Sequence, residues 1–317
     1  MDPELEARLM QANSGDLPLV TLITPAYNQA DYLAATIESV LAQDYPAIEY
    51  IVLDDGSTDR TPEVLKAYDG RVRHERHANM GQSATLNKGW GMSNGVYLGY
   101  LSADDLLVRD SISRLVAALE DEQDCVLAYG NFDLIDSRGK VVKKLEPSRF
   151  SLRELNEDLI CHVGVGALFK REVFDRCGGW NTELRKIPDF EYWLRASNLG
   201  SFHHVDALVG LYRVHEESTA VRPVPPARSR EITDTMHRYW AGKEQTPSAR
   251  KALSRAHLMA ARSHAQSGRP FDAIGEFVRS IRYQPRTLIS RSAWIALTSA
   301  FMLRLVNRHG WLVARLR

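Results

Sequence analysis

The apolar positions of this chain fall into short continuous runs that alternate with helically spaced ones. "LVTLIT" is a β-branched run leading into Pro25. Behind Asp31, a residue suited to capping a helix, Leu33, Ile37, Val40 and Leu41 recur at helical spacing. "IEYIVL" predicts the next strand, and "TPEVL" a helix with Thr61 as its cap and Pro62 in the first turn. The series continues with strand "RVRHE", helix "QSATLNKGW", strand "VYLGYL", helix "DSISRLVAAL" and strand "CVLAYG". Strand then helix, repeated, predicts a mostly parallel sheet covered on both faces, because parallel strands need a crossover connection. Ligands of such sheets bind at the carboxyl ends of the strands. Two acidic pairs, Asp54–Asp55 and Asp104–Asp105, stand there.

Past residue 130 the pattern changes. "FDLIDSRGKVV" predicts a hairpin turning at Ser137-Arg138-Gly139, and Ser151 with Glu154 forms a capping-box pair. "VGALFKREVFDRCGGWN" predicts a strand, a helix and a glycine turn; "PDFEYWLRA" begins a helix and "HHVDALVGLYRVH" is a last strand ending at His215. The prolines of "RPVPPAR" mark a linker. Beyond it two helical patterns flank Gly268-Arg269-Pro270, with Ala273, Phe277 and Pro285 placed as in a tetratricopeptide repeat or a simple docked hairpin. The expected organisation is a tail over 1–16, an α/β domain over 17–227 and a basic helical region over 228–317.

An apolar fraction of 44% supplies a sizeable core for 317 residues. Cys125, Cys161 and Cys177 are odd in number and lack metal-ligand spacing, so they are expected as buried thiols. "MDPELEARLM" does not read as a secretory signal, and no run approaches the ~20 apolar residues of a membrane span. A cytoplasmic protein is expected. The balance of 40 Lys+Arg against 40 Asp+Glu conceals an asymmetry: 17 basic against 5 acidic residues from Arg228 onward, which leaves 23 against 35 before it. Near the end, Trp294, Leu297, Phe301 and Leu305 form one helical stripe flanked by Arg291, Arg304, Arg308 and Arg315. That stripe predicts a helix lying on the inner face of an anionic membrane, or packed on the catalytic domain or in a homodimer. Nucleic acid is not an expected partner.

The motifs stand in a fixed order: "ITPAYN" after the first strand, "VLDDGSTD" after the second, then "HANMGQSATLNKGW", "LSADD", "GGWN", "PDFEYWLR" and "YRVH". Together, over about Leu17 to Ala220, they resemble the family-2 glycosyltransferases of GT-A fold. The resemblance implies an inverting transfer from a nucleotide-diphosphate sugar to a glycan or lipid-linked acceptor, in bacterial surface polysaccharide synthesis. It implies that Pro25, Ala26, Tyr27 and Asn28 line the base site, with Tyr27 stacking on the base or packing in the core. Asp55 accepts from the N–H of a uracil-type base, which points to a UDP- or dTDP-linked donor. Asp54 holds the loop, and Asn79, Gly81, Asn87 and Gly89 shape the turn and helix beside base and ribose.

A sugar diphosphate brings close to two negative charges, and a hard cation held by carboxylates neutralises them. By the resemblance Asp105 is the Mn²⁺ or Mg²⁺ ligand, Asp104 contacts ribose or donor sugar, and His215 lies near the metal or diphosphate. Arg213 assists the diphosphate. Asp189 is the general base, or else a helix cap; Trp180 and Trp193 wall the acceptor site, or else lie in the core. A sugar-nucleotide-binding protein without turnover is one alternative. A sugar-1-phosphate nucleotidyltransferase is another, although "TPAYNQA" lacks the Gly and Arg its phosphate loop would need.

Overall fold

The computed structural model describes residues 17–215 and 225–286, which divide into two compact units. The first comprises 17–150, 162–182 and 195–215; the second comprises 151–161, 183–194 and 225–286. The division departs from a simple linear split, because two stretches inside the expected α/β domain group with the C-terminal helices. The tail over 1–16, the start of the proline linker and the stripe of Trp294, Leu297, Phe301 and Leu305 lie outside the described residues.

The first unit is built on a nine-stranded sheet. Strands β1 (Val20–Ala26), β2 (Ile48–Asp54), β3 (Arg73–Arg76) and β4 (Tyr97–Tyr100) are parallel, in the order β3-β2-β1-β4. The sheet continues through β8 (Leu168–Lys170), β6 (Cys125–Ile135), β9 (Ser201–Arg213) and β5 (Leu106–Leu107), where antiparallel pairs join the parallel pair β6–β9. The predicted hairpin forms between β6 and β7 (Val141–Leu145). At its turn the Asp136 carboxylate accepts from the N–H of Arg138 and of Lys140.

The apolar strands are buried on both faces, as a covered sheet requires. On one face Val20, Leu22 and Val52 pack with Leu33, Ile37 and Val40 of α1 (Ala30–Leu41) and with Ile112, Leu115 and Leu119 of α4 (Ser111–Asp121). On the other, Ile23 lies against Gly89 of α3 (Gln82–Gly91). Neither expected cap acts through its own side chain. Asp31 sits in the first turn of α1, and Thr61 opens α2 (Thr61–Lys66). One carboxylate serves both helices: Asp59 Oδ2 accepts from Ala30 N–H at 3.0 Å and Oδ1 from Thr61 N–H at 2.9 Å. An acid at two helix N-termini is favoured by both dipoles. After β8 comes α5 (Arg171–Cys177).

The second unit is helical. Ser151 Oγ accepts from Glu154 N–H, half of the predicted box, and opens a π-helical turn over Glu154–Asp158. Helix α6 (Pro188–Ala196) buries Tyr192, Trp193 and Leu194. After the short α7 (Pro226–Ser229), α8 (Glu231–Tyr239) precedes the hairpin of α9 (Pro247–Gln266) and α10 (Pro270–Tyr283), which turns at Gly268 as the sequence predicts. Small residues let its helices close: Ala252, Ala256, Ala260 and Ala273 are buried, and Ser254 and Ser280 join by hydroxyls 2.8 Å apart. Among the described residues no helix is long and apolar enough to cross a membrane.

Candidate active site

The parallel strands end at one sheet edge, with Ala26 in register with Asp54. The loops after them are tied together by Asn28, which adopts φ 54°. Its Oδ1 accepts from Thr58 N–H at 2.8 Å, and its N–H donates to Ser57 Oγ at 3.0 Å. Asn tolerates this left-handed backbone because its short amide bonds locally. Pro25 and Ala26 belong to the strand, and the Ala26 side chain is buried. Tyr27 stands out of this framework with 48% of its surface exposed.

Both acids of the second loop are engaged. Asp54 Oδ1 accepts from Ser57 N–H at 2.8 Å, and Oδ2 lies 3.4 Å from Arg76 Nε. Asp55, 3% exposed, accepts at Oδ1 from Met80 N–H and at Oδ2 from Gly81 N–H, at 2.7 and 2.9 Å. Asn79 Nδ2 donates to the Asp55 carbonyl. Gly56 makes this crossing of loops feasible: at φ 74° it lies so close that a Cβ would sit 2.8 Å from Asn79 N.

At the end of β4 the acid pair separates into two roles. Asp105, expected as the metal ligand, is 3% exposed, and its Oδ1 accepts from Arg213 N–H at 2.8 Å. Burial and the neighbouring Asp104 charge push its carboxyl well above the usual range. The carboxylate that reaches His215 is Asp104, its Oδ2 2.9 Å from Nε2. After β4 the second acid turns inward and the first stays partly exposed beside His215. Arg213, expected to assist the diphosphate, is engaged within the protein. It is buried, donating from Nε to the Asp104 carbonyl at 2.8 Å and from Nη1 to the Asp136 carbonyl at 3.0 Å. Its guanidinium lies over Tyr32, whose ring also approaches His215 at 5.1 Å.

Asn87 and Trp180 form another structural pair. Asn87 Oδ1 accepts from Trp180 N–H at 2.7 Å, and Nδ2 donates to the Trp180 carbonyl at 2.8 Å. The amide thus mimics a strand neighbour, and a ribose would have to compete for both groups. Gly179 belongs to the same clamp, since a Cβ there would fall on Asn87 Oδ1. Trp180 is 3% exposed and meets Tyr100 and Trp90 edge to face, with centroids 5.0 and 6.0 Å apart. Trp193 is also buried, 5.1 Å from Tyr192. Both tryptophans, expected as acceptor walls or core, are buried.

In the second unit Asp189 occupies the first turn of α6. Its Oδ1 accepts from Phe190 N–H at 2.8 Å, and burial raises its carboxyl above the usual range. A carboxylate adjusted upward in this way gains basicity toward a hydroxyl proton.

Two residues that position the acids escape the motifs. Thr36, buried, donates to or lies within bonding distance of the Ala103 and Asp105 carbonyls, each 2.9 Å from Oγ1. A polar residue inside the apolar stripe Leu33, Ile37, Val40 was its signal. Arg76 donates from Nη2 to the Ser57 carbonyl at 2.8 Å; its position at the end of a parallel strand was the signal there.

Among the described residues no three His, Cys, Asp or Glu side chains gather as a metal-binding group. Asp104 with His215 is nonetheless a suitable two-residue donor set. One hard oxygen and one imidazole nitrogen face each other, and the remaining ligands of a Mn²⁺ or Mg²⁺ ion could come from diphosphate and water.

The family model described as "Glycosyl transferase family 2" matches residues 21–178. An uncharacterized glycosyltransferase of Rickettsia felis is 31% identical over 210 residues, covering 63% of this chain and 35% of that protein. Chondroitin synthase of Escherichia coli is 27% identical over 210 residues, covering 65% and 30%. The match therefore spans about a third of the length of these two relatives. S. aureus TarS 1-349 in complex with UDP-GlcNAc superposes with a TM-score of 0.66 at 16% identity, covering 92% of each chain. Mannosyltransferase PcManGT from Pyrobaculum calidifontis, in complex with GDP-Man and Mn²⁺, gives 0.54 at 17%, covering 95% and 93%.

Proposed function

The chain belongs to glycosyl transferase family 2 and has the GT-A fold, and from that premise we propose that it inverts a UDP- or dTDP-linked sugar onto a hydroxyl of a glycan or lipid-linked acceptor in polysaccharide synthesis. The observation that carries this reading is the convergence at one sheet edge. The exposed ring of Tyr27, the interlocked loops around Asn28 and Asp55, and the Asp104–His215 pair all follow parallel strands. The edge therefore offers a stacking face, an anionic acceptor for a base N–H and a cation site for the diphosphate. Asp55 keeps lone pairs beyond its two backbone bonds, which supports the uracil-type assignment. Relatives named chondroitin and hyaluronan synthase, and neighbours holding UDP-GlcNAc and UDP, support it as well.

Asp104 and His215 would hold the divalent cation, which when bound neutralises charge on the diphosphate. Asp189 takes the proton of the acceptor hydroxyl as its oxygen bonds the anomeric carbon. The bond from that carbon to the diphosphate oxygen breaks, and the nucleoside diphosphate leaves with the electron pair. Positioned bases contribute about 10²–10⁴-fold to such transfers.

Titration calorimetry with UDP, dTDP and GDP in the presence of Mn²⁺ tests the donor assignment. UDP or dTDP should bind more tightly than GDP; the reverse order would overturn the uracil-type donor. The alternative of a nucleotide-sugar-binding protein draws on the spare two-residue cation set. Release of UDP that depends on an added acceptor would exclude it.

A further inference from the structure

The helical unit holds a cavity of about 460 Å³ beside α8, α9 and α10, separate in composition from every residue assigned above. It is lined by guanidiniums from three helices' worth of sequence: Arg230 ahead of α8, Arg250 on α9, and Arg279 and Arg282 on α10. At its inner side His257 and Glu276 are buried and paired, Nδ1 to Oε2 at 2.6 Å, and Arg279 takes the other oxygen of Glu276. That triad is satisfied within itself.

The other three arginines are not. Among the described residues Arg230, Arg250 and Arg282 form no ion pair, and Arg250 Nη2 donates to the main-chain carbonyl of Arg282 at 3.3 Å, which keeps the two neighbours. Asp234 is the remaining acid of the lining, so three guanidiniums face one carboxylate. Like charges gathered at a concave surface repel unless an anion bridges them. A carboxylate ligand has two oxygens and is satisfied by one or two guanidinium forks. A phosphoryl group has more oxygens in a tetrahedral array and can engage several forks at once. Tyr283, stacked on His257 with centroids 5.6 Å apart and planes 11° from parallel, gives the cavity a fixed wall.

We propose that this cavity is a binding site for a phosphoryl group, as a phosphate ester or a diphosphate. The proposal does not depend on which sugar the donor carries or on the activity of the donor edge.

Calorimetric titration of the full chain with inorganic pyrophosphate tests it. EDTA is included so that cation-dependent binding at the donor edge does not contribute. The parent should bind, more weakly as salt is raised, and the Arg250→Gln, Arg282→Gln double variant should bind about ten- to a hundredfold more weakly, from two charge-assisted bonding groups lost. Arg230→Gln, an exposed change ahead of α8, should weaken binding in the same direction. The Mn²⁺-dependent part of UDP binding, taken as the difference between titrations with Mn²⁺ and with EDTA, should be equal in parent and variants, which separates failure here from failure of the donor reading. No pyrophosphate binding by the parent, or equal binding by the variants, would overturn the site. Sedimentation with phosphatidylcholine vesicles containing phosphatidic acid then identifies the source. Cosedimentation lost in the double variant assigns a lipid headgroup. Loss of pyrophosphate binding without any change in cosedimentation assigns a soluble phosphorylated ligand.

Discussion

Replacing Asn87 by Ala separates two roles that one side chain could play. If the amide served the ribose, the substitution would weaken nucleotide binding and leave the fold unchanged. The structure instead gives it two bonds to the main chain of Trp180, at 2.7 and 2.8 Å, beside a residue that is 3% exposed. Alanine removes both partners and leaves a donor and an acceptor short of water. A buried polar group left unsatisfied costs about 1–3 kcal/mol, so the pair should cost about 2–4 kcal/mol where water reaches them partly. For a unit of this size about 1 kcal/mol moves the melting temperature by about 2–4 °C. The expected fall is about 5–15 °C by differential scanning calorimetry, with UDP affinity unchanged below the transition. Asn87→Asp should not rescue, because it sets an anionic oxygen against the Trp180 carbonyl. An unchanged melting temperature together with a tenfold loss of UDP affinity would refute the clamp and return Asn87 to the ribose.

Gly179→Ala tests the same clamp from its other side and should lower the melting temperature, since its Cβ would overlap Asn87 Oδ1; unchanged melting would show that the loop has room. Asp104→Ala should abolish Mn²⁺-dependent UDP binding with little change in melting, whereas Asp105→Ala should lower melting by removing the acceptor of Arg213 N–H; the opposite pattern in paired calorimetry would restore Asp105 as ligand. Asp189→Asn should lower turnover by about 10²–10⁴-fold at unchanged UDP affinity. Burial raises the Asp189 carboxyl above the value it has unfolded, so the unfolded state releases that proton first as pH rises. Its contribution to stability is therefore lost between the unfolded and folded values, and at neutral pH Asp189→Asn should melt no lower than the parent. In the parent, kcat should rise with pH through the raised value and level off above it.

The divergence of Asp104 and Asp105 shows how a site is assembled from parts that are individually structural. Thr36 lies at the carbonyls of the acid loop, and Arg213 joins Asp104, Asp105 and Asp136 through its side chain and N–H. These bonds leave few degrees of freedom to the Asp104 carboxylate beside His215. A ligand held in place before the donor arrives loses less entropy on binding.

What the sequence determined by itself was whatever depends on local periodicity and turn chemistry. The alternation from "LVTLIT" to "CVLAYG" specified strands and helices in order, because buried parallel strands must be apolar on both faces. The placement of Asp55 and Asp104 past strand ends followed from the same pattern, and the turns at Gly139 and Gly268 followed from residues that tolerate positive φ. The tertiary structure decided everything that depends on distant partners. Asp59 rather than Asp31 caps α1, because the loop after β2 returns to its N-terminus. Adjacent acids have indistinguishable chemistry in a string of letters; only the inward turn after β4, with Arg213 arriving from β9, gave one to the core and the other to His215. Asn87 and Trp180 lie far apart in sequence, and no local signal could show that the amide meets the main chain of that residue. Nor could spacing foresee that arginines from separate helices would meet at one cavity, since convergence is a property of packing and not of order along the chain.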